Sequence, residues 1–435
     1  MAANTLVWLR NDLRVRDNPA LSAALKRGER VVAVYVAETD KRLRARGAAS
    51  RWWLHHSLTP IAADLAAMGV RLETVSGSIL DAVAEHGPQA VYWNRRYAPA
   101  EREVDAQIKA TLRETGVEAE SFAGNALVEP FDIATKTGTP YAVYTPFWNA
   151  LRERDIAAPL QAPHRHGEPV APAPADTAYR TPAWARKFEQ YWKPGEAAAR
   201  DRLADFLDRI EAYPEGRDYP ARDATSTLSP YLAHGEISAR QAWHAARALA
   251  EREPGRAGGV QKFLMELAWR DFNIHQLYHR EDIATVPMQA KFRHVKWRRS
   301  DSDLQAWQRG ETGIAIVDAG MKELWETGFM QNRVRMLTAS LLAKNLLIDW
   351  RLGEQWFWDC LVDADSASNP GNWQWVAGCG NDAAPYFRIF NPDTQAGKFD
   401  PGGDYVRRWA PEPREPIVDL KTSRERALAV LKAAS

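Results

Sequence analysis

Strand-like and helix-like segments take turns over the first third of this chain, and nowhere else in it. Residues 6–9, 31–36, 72–75 and 90–93 are short apolar runs rich in β-branched and aromatic side chains, the character of buried strands. Between them, 20–25, 53–68 and 101–115 carry apolar residues at helical spacing. Such alternation predicts a parallel, Rossmann-like sheet wrapped by helices, an α/β domain over residues 1–130. A ligand of such a sheet is expected at the carboxyl ends of the strands, near the point where strand order reverses. No G-x-G-x-x-G follows the first strand and no Walker loop occurs, so an ordinary dinucleotide or nucleoside triphosphate site is not expected.

From about residue 196 the pattern turns helical and stays so, through 197–212, 239–252, 261–279, 314–326 and 330–347. An all-α domain over 196–435 is the expectation. The intervening 131–195 breaks both patterns, and its Pro- and Ala-rich part, 157–182, has the composition of a linker. His164 and His166 flank Arg165 there. No further ligands lie near in sequence, so they are read as loop residues and no metal is expected. A chain of 435 residues exceeds what one compact core holds, which agrees with two domains. Lys and Arg number 57 against 56 Asp and Glu, which excludes a surface coated in positive charge but not a local basic patch for nucleic acid. With Cys360 and Cys379 alone, no disulfide framework exists and a reducing, cytoplasmic setting is expected. No signal peptide and no bilayer-length apolar run is visible. Most of the 18 tryptophans are expected in the core, where aromatic rings usually go, and position must decide which do more.

Four clusters in the helical part could carry chemistry. Thr225-Ser226-Thr227-Leu228-Ser229-Pro230 offers hydroxyls and backbone N–H groups at the mouth of a helix, either a phosphate cradle or a plain helix cap. Tyr213, Arg217 and Asp218 lie close by in sequence. Helical spacing puts Glu266, Trp269 and Arg270 on one face, which suits a planar, hydrogen-bonding, anionic ligand or else an intrahelical Glu–Arg pair beside a core ring. Asn332, Arg335 and Met336 share a face by the same rule, while Arg333 looks elsewhere. In the fourth, Asp363 and Asp365 precede Asn369, Trp373 and Trp375. Its carboxylates lack the ligand spacing and closing Glu of a calcium loop, and a polar loop entering Trp-x-Trp more plausibly lines a cofactor.

These clusters, in this order, resemble the photolyase/cryptochrome family. Val7-Trp8-Leu9-Arg10-Asn11-Asp12-Leu13-Arg14 matches its opening motif, 141–148 its Tyr-x-Val-Tyr-Thr-Pro-Phe-Trp segment, and Arg388-Ile389-Phe390-Asn391-Pro392 its C-terminal portion. The resemblance implies an antenna-type N-terminal domain, which could hold a folate, a deazaflavin, a flavin or nothing, and a folded FAD in the all-α domain. In this family the flavin performs the chemistry, and the protein positions and tunes it.

By resemblance, Tyr213, Thr225, Ser226, Thr227, Leu228, Ser229, Asn332, Arg335, Asp363, Asp365 and Asn369 would hold FAD, with Arg335 pairing Asp363. Asn369 would face flavin N5, where Asn is the choice of repair enzymes and Asp or Cys that of cryptochromes. Trp297, Trp350 and Trp373 would form an electron relay. Glu266, Trp269, Asn332, Met336 and Trp375 would line a pocket for a cyclobutane pyrimidine dimer flipped out of DNA. Arg217, Arg270 and Arg333, with the basic run 291–299, would contact phosphates. The implied activity is dimer splitting by an electron from photoexcited reduced FAD, in a monomer needing no protein partner or membrane. A cryptochrome-like photosensor is the alternative. Enzymes of the (6-4) branch place a histidine pair within the block matching 330–336, and none occurs here.

Overall fold

The computed structural model describes residues 4–163, 166–172, 182–383 and 388–434. Five strands, β1 (Asn4–Leu9), β2 (Arg30–Glu38), β3 (Arg71–Gly77), β4 (Ala90–Asn94) and β5 (Glu118–Phe122), form one parallel sheet in the order β3-β2-β1-β4-β5. The four expected strands are all present, each slightly longer than its apolar run. β5 was not expected. Its sequence, Glu-Ala-Glu-Ser-Phe, alternates charge and buries little beyond Ala119 at one sheet edge, and β3, expected to be buried, is the other edge and fully buries only Leu72. Helix Ile79–His86 was also missed; it is two turns long, and a capping box between Ser78 and Asp81 starts it. The other expected helices appear as Pro19–Lys26, Ala48–Ala67 and Pro99–Glu114.

The C-terminal half is helical throughout the described residues, as expected. The expected 330–347 helix starts at Asn332, runs to Ser340 and widens into a π-helix over Leu341–Asn345. Segment 131–195 is more than a spacer. Its helix Tyr144–Arg152 sends Phe147, Trp148 and Leu151, and its 3₁₀ turn Ala183–Gln190 sends Phe188, into the same core as Trp243 and Phe263 of the helical half. Phe147, Trp148, Leu151 and Phe188 are large and point one way, a density that a Pro- and Ala-rich composition hides, while Phe131, Val143, Leu160 and Val170 stay exposed. His164, Arg165 and 173–181 lie outside the described residues; His166 places Nε2 2.6 Å from the Glu29 carbonyl oxygen.

Helix Ala48–Ala67 joins the two halves, since Trp52 and Trp53 enter that shared core. The seam is tight. Gly235 adopts φ 69°, and a Cβ there would sit 2.0 Å from the Asn11 carbonyl oxygen. Asp17 accepts from Arg240 (2.9 Å) and Ser238 (2.5 Å), and Arg14 donates to the Gly235 carbonyl (3.0 Å). Glu236 is fully buried, accepting from Trp53 Nε1 (3.0 Å) and Ser57 Oγ (2.5 Å). Burial pushes its carboxyl up to about 8. An acid whose pKa rises on folding stabilises the fold below its unfolded value, and loses that contribution as pH climbs through the folded one. Denaturant melts should therefore show the wild type losing stability between pH 5 and 8 relative to Glu236→Gln, at up to about 1.4 kcal/mol per pH unit. Parallel curves for the two proteins would refute this.

Candidate active site

Helix Ser229–His234 is entered through Thr227, a non-glycine residue in the left-handed region at φ 48°. Ser229 is exposed, and its Oγ donates to Asp363 Oδ2 (2.6 Å). The same carboxylate, its side chain 3% exposed, accepts from Arg335 Nη1 (3.1 Å) and Nη2 (2.8 Å). The hydroxyl run, Arg335 and Asp363 are thus one cluster, as the sequence reading expects of Arg335. Thr225, Ser226 and Thr227 are half-buried and Leu228 is buried. Tyr213 is mostly in the core, edge-on to Phe206 at 5.1 Å. Asp365 Oδ1 accepts from the backbone N–H groups of Ala367 (2.8 Å) and Ser368 (2.6 Å), so one oxygen shapes the turn before helix Ser368–Ala377.

That helix carries Asn369, which is 8% exposed. Its Nδ2 donates to Glu354 O (3.0 Å) and Glu354 Oε1 (2.8 Å), which fixes the sense of the amide. Its Oδ1 accepts nothing from the described residues. Trp373 and Trp350 are buried in one core with Trp297 partly buried against it. Trp373 meets Phe357 edge-on at 5.0 Å and Trp307 at 6.1 Å, and packs where a Cβ on Gly353 would be 2.2 Å from its ring.

The face expected to join Glu266, Trp269 and Arg270 is split. Glu266 pairs with Arg217 and Lys262 (3.1 Å). Arg270 turns away, because the Asn125 carbonyl (2.8 Å) and buried Asp271 (3.6 Å) draw its guanidinium to a neighbouring loop. Trp269 lies flat on Tyr144 at 3.8 Å and 6°, so one of the two ring faces it could offer a base is already covered. Trp269 and Trp375 do share a cleft with Phe272, Asn273 and Gly371. Its enclosed part is about 20 Å³, a water-sized volume, so a ring-sized ligand would meet its rim. Asn332 is exposed and Met336 half-buried, with Asn332 Nδ2 4.0 Å from Met336 Sδ, which confirms their common face. Arg333 pairs with Asp218 (2.7 Å) over Phe399. All three candidate phosphate-binding arginines are therefore held by carboxylates, whereas Lys291, Arg293, Lys296 and Arg299 are exposed and make no ion pair with the described residues.

Sequence reasoning missed Tyr144, Glu354 and Arg44. Tyr144 covers Trp269, and its hydroxyl donates to the Met265 carbonyl (2.6 Å); burial, with Glu266 nearby, holds that hydroxyl well above its usual pKa. For Glu354 a signal existed. Trp350, Gly353, Glu354, Phe357 and Cys360 form the buried stripe of helix Trp350–Cys360, and an acid on such a stripe needs a partner. No local pattern signals Arg44, because its partner is distant in sequence.

The family model for DNA photolyase matches residues 5–164, and that for the FAD binding domain of DNA photolyase matches 263–415. A deoxyribodipyrimidine photo-lyase of Agrobacterium fabrum is 43% identical over 99% of this chain and 98% of its own length.

The chain belongs to the DNA photolyase family.

Among solved structures, a bacterial class III photolyase from Agrobacterium tumefaciens superposes with a TM-score of 0.94 at 43% identity, covering 100% of this chain and 98% of its own. A cryptochrome from Synechocystis sp. PCC6803 does so at 0.87 and 28%, covering 99% of each. The helical half is the family's FAD-binding domain, and the donor set fits that cofactor. Hydroxyls of Thr225, Ser226, Thr227 and Ser229 suit a pyrophosphate, Arg335 holds Asp363 in place with both terminal nitrogens, and the Asn369 oxygen, which accepts no bond from the described residues, suits a ring N–H. In the N-terminal half, a cavity of about 370 Å³ opens beyond Glu38 and Gly77 at the carboxyl ends of β2 and β3, floored by Trp8. That is the end of the sheet where a ligand was expected.

Proposed function

We propose that this protein uses light to split cyclobutane pyrimidine dimers in DNA. The 43% identity with a deoxyribodipyrimidine photo-lyase along essentially both chains carries this reading. Bound FAD would supply light absorption and the electron that opens the dimer. The protein's own groups would hold it: the hydroxyls of Thr225, Ser226, Thr227 and Ser229 at its phosphates, Asp363, kept in place by Arg335, and Asp365 on the ribose and flavin side, and Asn369 at the ring. Asn332, Met336, Glu266 and the open faces of Trp269 and Trp375 would receive the everted lesion. The exposed cations of 291–299 would add attraction to DNA phosphates. The 370 Å³ cavity is where a second pigment would sit. The protein would act as a monomer in the cytoplasm, with no obligate protein partner.

Dimer-containing DNA mixed with the FAD-loaded protein should be repaired in blue light and not in darkness. The cryptochrome likeness supports a second reading, a photosensor, for which the flavin would respond to light and the DNA would stay damaged. Glu266 offers a finer test. Glu266→Ala should cut repair per absorbed photon severalfold while DNA affinity changes little, because the carboxylate would hydrogen-bond the pyrimidine rather than attract the phosphates. Lost affinity with an intact yield would contradict that role.

A further inference from the structure

The loop after β2 crosses from one half of the molecule to the other and ends on the helix behind Asn369. It starts along the N-terminal cavity with Thr39, Asp40 and Arg42. It is then fastened to helix Trp350–Cys360 at three points. Trp358 Nε1 donates to the Ala45 carbonyl (2.9 Å), and Ala48 N donates to Asp359 Oδ1 (2.8 Å). Gly47 lies so close that a Cβ would be 1.9 Å from the Trp358 carbonyl oxygen. On this loop, Arg44 stacks over the Trp358 ring at 3.9 Å and grips Glu354 with both terminal nitrogens, Nη1 to Oε1 (2.7 Å) and Nη2 to Oε2 (2.8 Å).

We propose that Arg44 of the N-terminal half is a positioning residue for the flavin site, acting through Glu354 on the amide of Asn369. The inference rests on the proposed placement of FAD beside Asn369. Glu354 Oε1 is shared, accepting from Arg44 on one side and from Asn369 Nδ2 on the other. While the carboxylate is held, the Asn369 amide nitrogen is fully engaged, and its oxygen is the amide atom left to meet a flavin. A flavin gains a hydrogen on a ring nitrogen when it is reduced, so an oxygen acceptor there favours the reduced form over the oxidised one. Without the guanidinium, a carboxyl whose side chain is 3% exposed has no ion-pair partner among the described residues. It must then turn away or take a proton, and either change lets the amide rotate and show its NH₂ instead.

The test measures the midpoint potential of bound FAD in the wild type, Arg44→Met, Arg44→Lys, Glu354→Met and the Arg44→Met/Glu354→Met double variant. Arg44→Met and Glu354→Met should each shift it negative, Arg44→Lys should restore part of the shift, and Arg44→Met should add nothing in the Glu354→Met background. A wild-type potential in Arg44→Met, or shifts that sum in the double variant, overturns the inference and leaves the proposed function standing. Lost stacking on Trp358 alone would lower the melting temperature in both backgrounds and leave the potential where it was, which also overturns it. A wild-type chain that takes up no FAD overturns both the proposed function and this inference.

Discussion

Arg335→Ala should purify folded but with at most about a tenth of the wild-type flavin per chain. Arg335 is the only cation that the described residues bring onto Asp363, whose side chain is 3% exposed and whose oxygens also take Ser229. Removing one partner of a buried pair typically costs about 3–5 kcal/mol, because the other charge stays behind without compensation. Part of that falls on the fold. The rest falls on FAD, whose pocket gains an uncompensated carboxylate in place of a neutralised pair; each 1.4 kcal/mol is about tenfold in affinity. Arg335→Lys should recover little, since one ammonium cannot reproduce two parallel bonds to a carboxylate and a third to the Met330 carbonyl. Flavin absorbance per chain, read beside a thermal melt, checks this. A folded Arg335→Ala protein with a full complement of FAD would show that the cofactor does not depend on this cluster.

Trp373→Phe should block light-driven reduction of bound oxidised FAD while sparing repair by chemically reduced enzyme. Phenylalanine keeps an aromatic ring against Phe357 and in the notch left by Gly353, so the fold should lose only about 1–2 kcal/mol. What disappears is the indole, the part of the side chain able to give up an electron. Steady blue illumination with an external reductant should then reduce the flavin at least about tenfold more slowly, a barrier increase of about 1.4 kcal/mol or more. Unchanged photoreduction would remove Trp373 from the relay. The two arms separate the filling of the electron reservoir from its use, which a repair assay alone cannot do.

The outline of this molecule was legible because its two halves obey different periods. Buried parallel strands show themselves as apolar runs, and β1, β2 and β4 could be placed from them; β3, an edge strand, still carries Leu72, Thr74 and Val75, whereas β5, the other edge, alternates charge and carries no such mark. The Arg335–Asp363 pair and the common face of Asn332 and Met336 followed from motif and helical spacing. The directions of Arg270 and Trp269 did not, because each is settled by a partner on a remote segment, Asn125 for one and Tyr144 for the other. Helical spacing says which residues can share a face, and long-range bonds decide which of them do. Arg44 is the extreme case, an exposed loop cation whose carboxylate partner, Glu354, lies 310 positions away.

Gly235 has no space for even one carbon atom against Asn11, so this contact resists rocking of the halves about their seam. For a pigment in the N-terminal cavity this would freeze the angle between its transition dipole and that of the flavin. The efficiency of energy hopping would then be a constant of the architecture, indifferent to solvent viscosity.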